Sequence, residues 1–390
     1  MSENQVVVVG AGPAGLSSAL ALKDVGIRPL LLDQAEQVGT SWRSRYDRLR
    51  LNTCRPNSHL PDRRFPKGTP MFPTRDQVVE HLERHAREDG IQLQLGTAVH
   101  RVDRSDGVWS VETSAGELRA PQVVVATGHQ KEPFIPAWVG RDGFQGELLH
   151  SCQYRNSEPF REQRVLVVGP GCSGMEIAYD LGEGGASKVW LSARTPPNIV
   201  LREGPGRIPG DMLGVTLLHF PPRLADAAAR FGQRMGVGDL TEYGLPVPEE
   251  GVFSRLRRTG LAPAIVDKEV IEAIKAGRIE IVPGVDSLDA TGVRLADGAR
   301  VEPEAVICAT GYQPGLEPLV GHLEALDERG MPRAVGERPA APGLRFAGYV
   351  PRPGQLGYMG REAKRIAKMI QQELLVAPPR RERQPSAPAA

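Results

Sequence analysis

Three runs rich in β-branched residues, Val6–Val9, Val123–Val125 and Val165–Val168, are apolar at every position and lead straight into glycine-containing turns. Continuous apolar runs of this length predict strands buried on both faces, as in a parallel sheet, rather than strands with one wet face. After the first and third runs the spacing becomes helical, with Leu16, Leu20 and Leu22 in one case and Met175, Ile177 and Leu181 in the other. The unit of strand, glycine turn and helix therefore occurs twice, 159 residues apart. Between the two copies, Val78–Arg87 predicts a helix, and Ile91–Thr113 predicts short strands turning at Ser105-Asp106-Gly107. Later strands are predicted at Ile279–Val282 and Ala305–Ala309. A last helix carries Ala363, Ile366, Met369, Ile370 and Leu374 on one face.

The stretch 195–264, rich in Pro and Gly, reads as an irregular insertion. Within it, Leu224, Ala228, Phe231 and Met235 share one face of an amphipathic helix. That face is expected to pack on the core, with a lid or substrate wall as the other use. Residues 377–390 hold four prolines, three arginines and no large apolar side chain, and are expected to be disordered.

A length of 390 residues suits two domains, and 40% apolar with 24% charged residues suits a packed globular chain. The formal charge of +1 gives no global electrostatic case for nucleic acid or an anionic membrane. Cys54, Cys152, Cys172 and Cys308 form no C-x-x-C pair, so no metal site and no dithiol centre is read from them. A reducing cytoplasm is the expected home. No apolar run approaches the roughly 18 residues of a membrane helix, and the chain enters a strand by Val6 without a charged leader.

Gly10-Ala11-Gly12-Pro13-Ala14-Gly15 places G-x-G-x-x-G where strand becomes helix. Glycine there permits a tight turn, close approach of a pyrophosphate and close helix packing. Leu30-Leu31-Leu32-Asp33 adds a second strand ending in a carboxylate suited to ribose hydroxyls. Gly169-Pro170-Gly171-Cys172-Ser173-Gly174 repeats the motif, with Glu176 early in its helix. Its following strand ends Ser192-Ala193-Arg194, without an acid. A hydroxyl and a guanidinium in that place suit a 2′-phosphate, which predicts NADPH rather than NADH.

Gly39-Thr40-Ser41-Trp42-Arg43 resembles the second adenosine and flavin contact of two-dinucleotide flavoproteins, which favours FAD at the first site. Phe144 to Arg155 fits F-x-G-x-x-x-H-x-x-x-(Y/F)-(K/R) just before the second glycine motif, and resembles the fingerprint of flavin-containing monooxygenases. The likeness continues through Ala126-Thr127-Gly128, Ala309-Thr310-Gly311-Tyr312 and Gly343 to Gly348. The runs Tyr46–Leu51, Asp267–Gly284 and Gly360–Ile370 look most like YUCCA-type indole-3-pyruvate monooxygenases.

The resemblance implies an α/β fold of two Rossmann-like domains, with the NADPH domain (156–301) inserted into a discontinuous FAD domain (1–155 and 302–376). For FAD it implies Gly10, Gly12, Pro13, Ala14, Gly15, Asp33, Gln34, Thr40, Trp42, Leu51, Val99, Ala126, Thr127, Gly128, Gln355 and Leu356. For NADPH it implies Gly169, Gly171, Cys172, Ser173, Gly174, Glu176, Ser192, Arg194, Ala309, Thr310, Gly311 and Tyr312. Asn52 aligns with an asparagine beside the reactive C4a carbon of the flavin, where an amide can donate to a bound oxygen. YUCCA-type sequences often depart from asparagine at this position. His150 is expected to be structural, and Cys54 an inert thiol.

The function so implied is an NADPH-dependent FAD monooxygenase that forms a C4a-(hydro)peroxyflavin from O₂ and inserts one oxygen into a small organic substrate. The target is an amine or sulfide, or the carbonyl of a ketone or keto acid. Two rivals stand beside it: a flavoprotein reductase passing electrons to a carrier, and a flavin-bearing sensor without turnover.

Overall fold

A computed structural model describes residues 5–350 and 352–376; the tail expected to be disordered lies outside them. Five strands form the first parallel sheet: β1 (Val6–Val9), β2 (Leu30–Leu32), β3 (Gln92–Gln94), β4 (Gln122–Val125) and β10 (Leu344–Phe346), in the order β10-β4-β1-β2-β3. The second consists of β5 (Glu147–His150), β6 (Arg164–Val168), β7 (Lys188–Ser192), β8 (Glu280–Val282) and β9 (Ala305–Cys308), in the order β8-β7-β6-β9-β5 and again all parallel. The duplication seen in the sequence is thus a duplication of topology. In each sheet the strand before the glycine turn is central, with its successor on one side and a later strand on the other. The ends of such central strands are where the strand order reverses and a crevice opens.

The two faces of these buried strands are covered differently. Val6 and Val8 cluster with helix residues Leu16, Leu20 and Ile366, and Val165 and Val167 with Met175 and Ile177. Val7 and Val9, by contrast, face Val102, Trp109 and Val111, and Leu166 and Val168 face Val293 and Leu295, all on small antiparallel sheets. Helix α1 (Pro13–Asp24) follows β1 and packs along the C-terminal helix, while α2 (Arg75–Glu88) starts with a capping box made by Thr74 and Gln77. Helix α3 (Cys172–Glu183) follows β6.

Two expectations change here. The second sheet takes β5 and β9 from chain that the boundaries at 155 and 302 assign to the other domain. Backbone pairing of Ala305–Cys308 with both Val165–Val168 and Glu147–His150 joins into one sheet segments from the two sides of the boundaries that the resemblance implies. The insertion, in turn, is ordered into α4 (Gly210–Leu217), α5 (Pro222–Gly236) and α6 (Val252–Thr259), flanked by a parallel pair, Ile199–Leu201 with Ala264–Val266. Pro209, Gly210, Pro221, Pro222, Gly251 and Gly260 sit at the ends of these helices, where they start or stop helices rather than prevent them.

The apolar face of α5 also turns the other way. Leu224, Phe231 and Met235 are 62%, 69% and 68% exposed, while Ala225 and Asp226 are buried. The physical reason is polar: the Asp226 carboxylate accepts from the backbone N–H of Phe253, at 2.6 Å, and from the Ser254 hydroxyl. Serving the orphan donors at the start of α6 fixes which side of α5 faces inward.

His81 on α2 is buried and stacked on Phe65 at 4.1 Å, and burial pulls its pKa from 6.5 down to about 3. Between those values the unfolded chain binds the proton and the folded one does not. Stability is therefore lost as pH falls through that window, by up to about 1.4 kcal/mol per pH unit from this residue. Replacing His81 with Phe keeps the ring stack and is expected to flatten the decline in melting temperature between neutral pH and about pH 4. An unchanged acid limb would remove His81 as a source of acid sensitivity.

Candidate functional site

The two glycine turns have nearly the same geometry. Gly10 and Gly169 adopt φ of +105° and +109°, a region open to glycine, as the backbone leaves the strand. A Cβ on Gly15 would lie 1.7 Å from the Gly10 carbonyl oxygen, and one on Gly174 would lie 1.8 Å from that of Gly169. Helix and turn therefore touch backbone to backbone. Gly12 and Gly171, by contrast, face open space, with nothing among the described residues within 4 Å of an added Cβ.

Gly12 and Gly171 are also the caps of α1 and α3, and neither helix has a side-chain cap or an acidic residue in its first turn. Two uncapped helix N-termini, each beside a glycine whose Cβ would enter open space, fit two pyrophosphates.

Around the first turn, Asp33 accepts from the backbone N–H of Ala11 at 2.5 Å and of Ala35 at 2.8 Å. The acid at the end of β2 is thereby tied to the turn. A cavity of about 310 Å³ opens beside it, with Gln37, Thr40, Arg43 and Arg155 in its wall. Gln34 and Thr40 are exposed, whereas Leu51, Ala14 and Ala126 are buried in one apolar cluster against which Trp42 and Leu356 pack. Val99 lies two residues beyond Thr97, whose N–H bonds to the Asp33 carbonyl at 2.8 Å. The Thr127 and Tyr349 hydroxyls lie 2.9 Å apart, next to Gly128. Pro13 opens α1.

The C-terminal helix α7 (Gln355–Val376) starts against the carbonyl oxygen of Asn57 at Gly357, and the buried Gln355 Nε2 has no acceptor among the described residues. An orphaned amide donor at a helix N-terminus fits a carbonyl-rich ring edge.

Around the second turn, several expected contacts point inward instead. Ser192 is 1% exposed and donates to the Pro283 carbonyl at 2.8 Å, leaving the exposed Arg194 as the group free to meet a phosphate. Cys172 Sγ accepts from the Ile265 N–H at 3.2 Å, and its neighbour Ser173 is half-buried. Glu176 is buried and forms an ion pair with Arg202, while Tyr46 Oη donates to it at 2.5 Å. A carboxylate so engaged is an internal partner, not an open coenzyme contact. Burial raises its pKa despite the arginine beside it, and raises that of Tyr46, which therefore stays a donor.

Ala309 follows β9 and comes close to both Gly169 and Gly174. Thr310 Oγ1 donates to the Phe134 carbonyl, Gly311 accepts from His150 Nε2 at 2.9 Å, and Tyr312 Oη accepts from Arg45 at 2.7 Å. His150 is thus buried and structural, and burial lowers its pKa.

Asn52 joins the two halves. Its Oδ1 accepts from Arg202 at 2.9 Å, and its Nδ2 meets no acceptor among the described residues. Tyr46, Arg202 and Asp267 complete this cluster and are candidate site residues that motif reading missed. Tyr46 and Asp267 lie in the YUCCA-like runs, but nothing in the sequence around Arg202 distinguishes it from 39 other arginines.

Cys54, two residues on, is buried, with its thiol 3.3 Å from Asp211 Oδ2; burial and that carboxylate push its pKa up to about 12. It is expected to resist iodoacetamide in native protein near neutral pH and to react once unfolded, as peptide mass mapping would show. Rapid native alkylation would contradict the packing.

Two Rossmann-like sheets with glycine turns of matching geometry define a two-dinucleotide oxidoreductase. A family profile described as pyridine nucleotide-disulphide oxidoreductase matches residues 7–198. The probable indole-3-pyruvate monooxygenase YUCCA9 of Arabidopsis thaliana is 32% identical over 339 residues, covering 85% of this chain and 80% of that protein. In fold, the chain is similar to the flavin-containing monooxygenase from Stenotrophomonas maltophilia, with a TM-score of 0.73, 22% identity and coverage of 96% and 100%. It is also similar to the bacillithiol disulfide reductase Bdr from Bacillus cereus, with a TM-score of 0.68, 18% identity and coverage of 95% and 100%.

Fold alone is thus shared with reductases, and the sequence relationship decides. The chain belongs to the flavin-containing monooxygenase family, in the company of the YUCCA-type enzymes. It is a flavin-dependent monooxygenase. No helix among the described residues is long and apolar enough to cross a membrane.

Proposed function

We propose that the chain transfers one oxygen atom of O₂ to a small organic molecule, at nitrogen or sulfur or at the carbonyl of a ketone or keto acid, with NADPH as reductant. FAD, once reduced, supplies the oxygen activation. The chain's own residues hold, orient and shield. The first turn and α1 take the FAD pyrophosphate, with Asp33 at the adenosine ribose, while the start of α7 with Gln355 faces the ring. The second turn and α3 take the NADPH pyrophosphate, with Arg194 at the 2′-phosphate.

The FAD-binding part is built on the first sheet, and the NADPH-binding part on the second, including β5 and β9. Asn52 Nδ2 donates toward the oxygen to be transferred. The walls around it must exclude water, because a solvated reactive oxygen is lost as H₂O₂.

The observation that carries this reading is the tethered Asn52 amide, anchored from the NADPH side with its donor end left free. Its test is anaerobic reduction by NADPH followed by mixing with O₂. A transient near-ultraviolet band distinct from oxidised and reduced FAD is expected, and it should be consumed faster by an amine, sulfide or keto acid. Direct return to oxidised FAD with every candidate substrate would defeat the proposal, and rapid electron delivery to an added carrier without oxygen uptake would favour a reductase.

Arg194→Ala is expected to weaken NADPH use about tenfold or more while sparing NADH, as loss of a charge-assisted phosphate contact requires. Steady-state KM values for both coenzymes measure this, and an unchanged ratio would exclude Arg194 from the phosphate site.

A further inference from the structure

We propose that Arg202 is a positioning residue that sets which end of the Asn52 amide faces the flavin; this rests on the role given to Asn52 above. An asparagine amide offers an acceptor at one end and two donors at the other, in nearly identical shapes. Left alone, it can rotate by half a turn and present the wrong end. A guanidinium can only donate, so a flipped amide would set donor against donor, and Arg202 selects the state with Oδ1 toward itself and Nδ2 away.

The selection works because the guanidinium is itself immobilised. Arg202 is 2% exposed and forms ion pairs with Glu176 and Asp267, using both terminal nitrogens. One of these nitrogens also reaches Asn52 at 2.9 Å. Tyr46 holds Glu176 from the far side at 2.5 Å, and Arg50 holds Asp267 at 3.0 Å. Two cations then face two carboxylates, so the cluster is balanced in charge.

The backbone of Arg202 is fixed as well. Its N–H donates to the Val266 carbonyl and its own carbonyl accepts from Gly210, at 2.8 and 2.9 Å. Glu176 stands on the helix that leaves the second glycine turn, while Arg202 and Asp267 each directly follow a strand of the small parallel pair. Asn52 lies on the opposite, FAD-side segment. Residues of the NADPH half therefore orient a donor that serves the FAD half. Lysine could keep the charge, but its three donors diverge from one nitrogen on a flexible stem, so it does not reproduce the planar fork whose two nitrogens meet Asp267, Glu176 and Asn52.

The test uses the FAD-loaded enzyme labelled with ¹⁵N at asparagine side chains, with the Asn52 signal identified by its absence in Asn52→Ala. In oxidised enzyme without NADPH, Arg202→Lys is expected to move and broaden the Asn52 NH₂ pair while other asparagine signals stay in place. In turnover, Arg202→Lys is expected to raise H₂O₂ released per NADPH by roughly tenfold, the scale typical of losing an orienting partner. It should add nothing further in the Asn52→Ala background, because the two residues act as one unit.

An unmoved Asn52 signal, or peroxide effects that add in the double variant, would overturn the proposal. Should Arg202→Lys fail to fold, Asp267→Asn loosens the grip on Arg202 at a partly exposed position, and the same signal must shift, by less. If Asn52→Ala itself releases no extra peroxide, the oxygen role of Asn52 fails, while the resonance experiment still decides whether Arg202 orients it.

Discussion

Gly15→Ala is expected to yield a protein that no longer retains FAD and purifies close to colourless. The new Cβ would stand 1.7 Å from the Gly10 carbonyl oxygen, which is backbone and cannot rotate aside. Either α1 slides off the turn or the turn opens, and both displace the N–H groups that would meet the pyrophosphate. Overpacking of this kind costs about 1–3 kcal/mol. Carried into the site, that lowers FAD affinity by about tenfold to a hundredfold. Flavin absorbance per polypeptide after gel filtration, followed by titration of the apoprotein with FAD, measures the effect.

Gly12→Ala separates the two causes. Its Cβ would meet no atom of the described residues within 4 Å, so the apoprotein should melt like the parent while FAD binding weakens, since the methyl group enters the cradle itself. A Gly15→Ala protein that stays fully yellow would remove the first turn from the FAD site.

Gly174→Ala makes the same collision, 1.8 Å from Gly169 oxygen, at the other turn, and the expected outcome differs in kind. The protein should remain yellow and be reduced by dithionite, yet its anaerobic reduction by NADPH should slow by about tenfold to a hundredfold at fixed coenzyme concentration. Stopped-flow absorbance at the flavin band reads this directly. Two substitutions of equal size at equivalent places, one costing colour and the other costing reduction, would assign the turns to their coenzymes. Colour lost from Gly174→Ala and kept in Gly15→Ala would reverse the assignment.

Pairs of titratable and polar groups decide matters that apolar pattern cannot. The stripe Leu224, Phe231, Met235 has the spacing of a buried face, yet it lies outward because Asp226, on the other side of α5, satisfies backbone donors of α6. An amphipathic pattern states that two faces differ; which one a structure covers depends on every partner brought against the helix. Ser192 shows the same limit. The residue type suits a phosphate, but Pro283, 91 positions away, takes its hydroxyl.

The primary structure by itself determined the two strand, glycine turn and helix units, the buried parallel strands around them and the acid at Asp33. These rest on local chain geometry: a positive φ at Gly10 and Gly169, a Cβ-free contact at Gly15 and Gly174, and continuous apolar runs. Only the tertiary structure decided that β5 and β9 complete the second sheet, that the insertion forms helices, and that Asn52, Tyr46, Glu176, Arg202 and Asp267 meet. The partners in that cluster lie up to 217 residues apart along the chain, as Arg50 and Asp267 do. Charges at such separations carry no periodic signal, and their pairing exists only once two folded halves exclude water from between them.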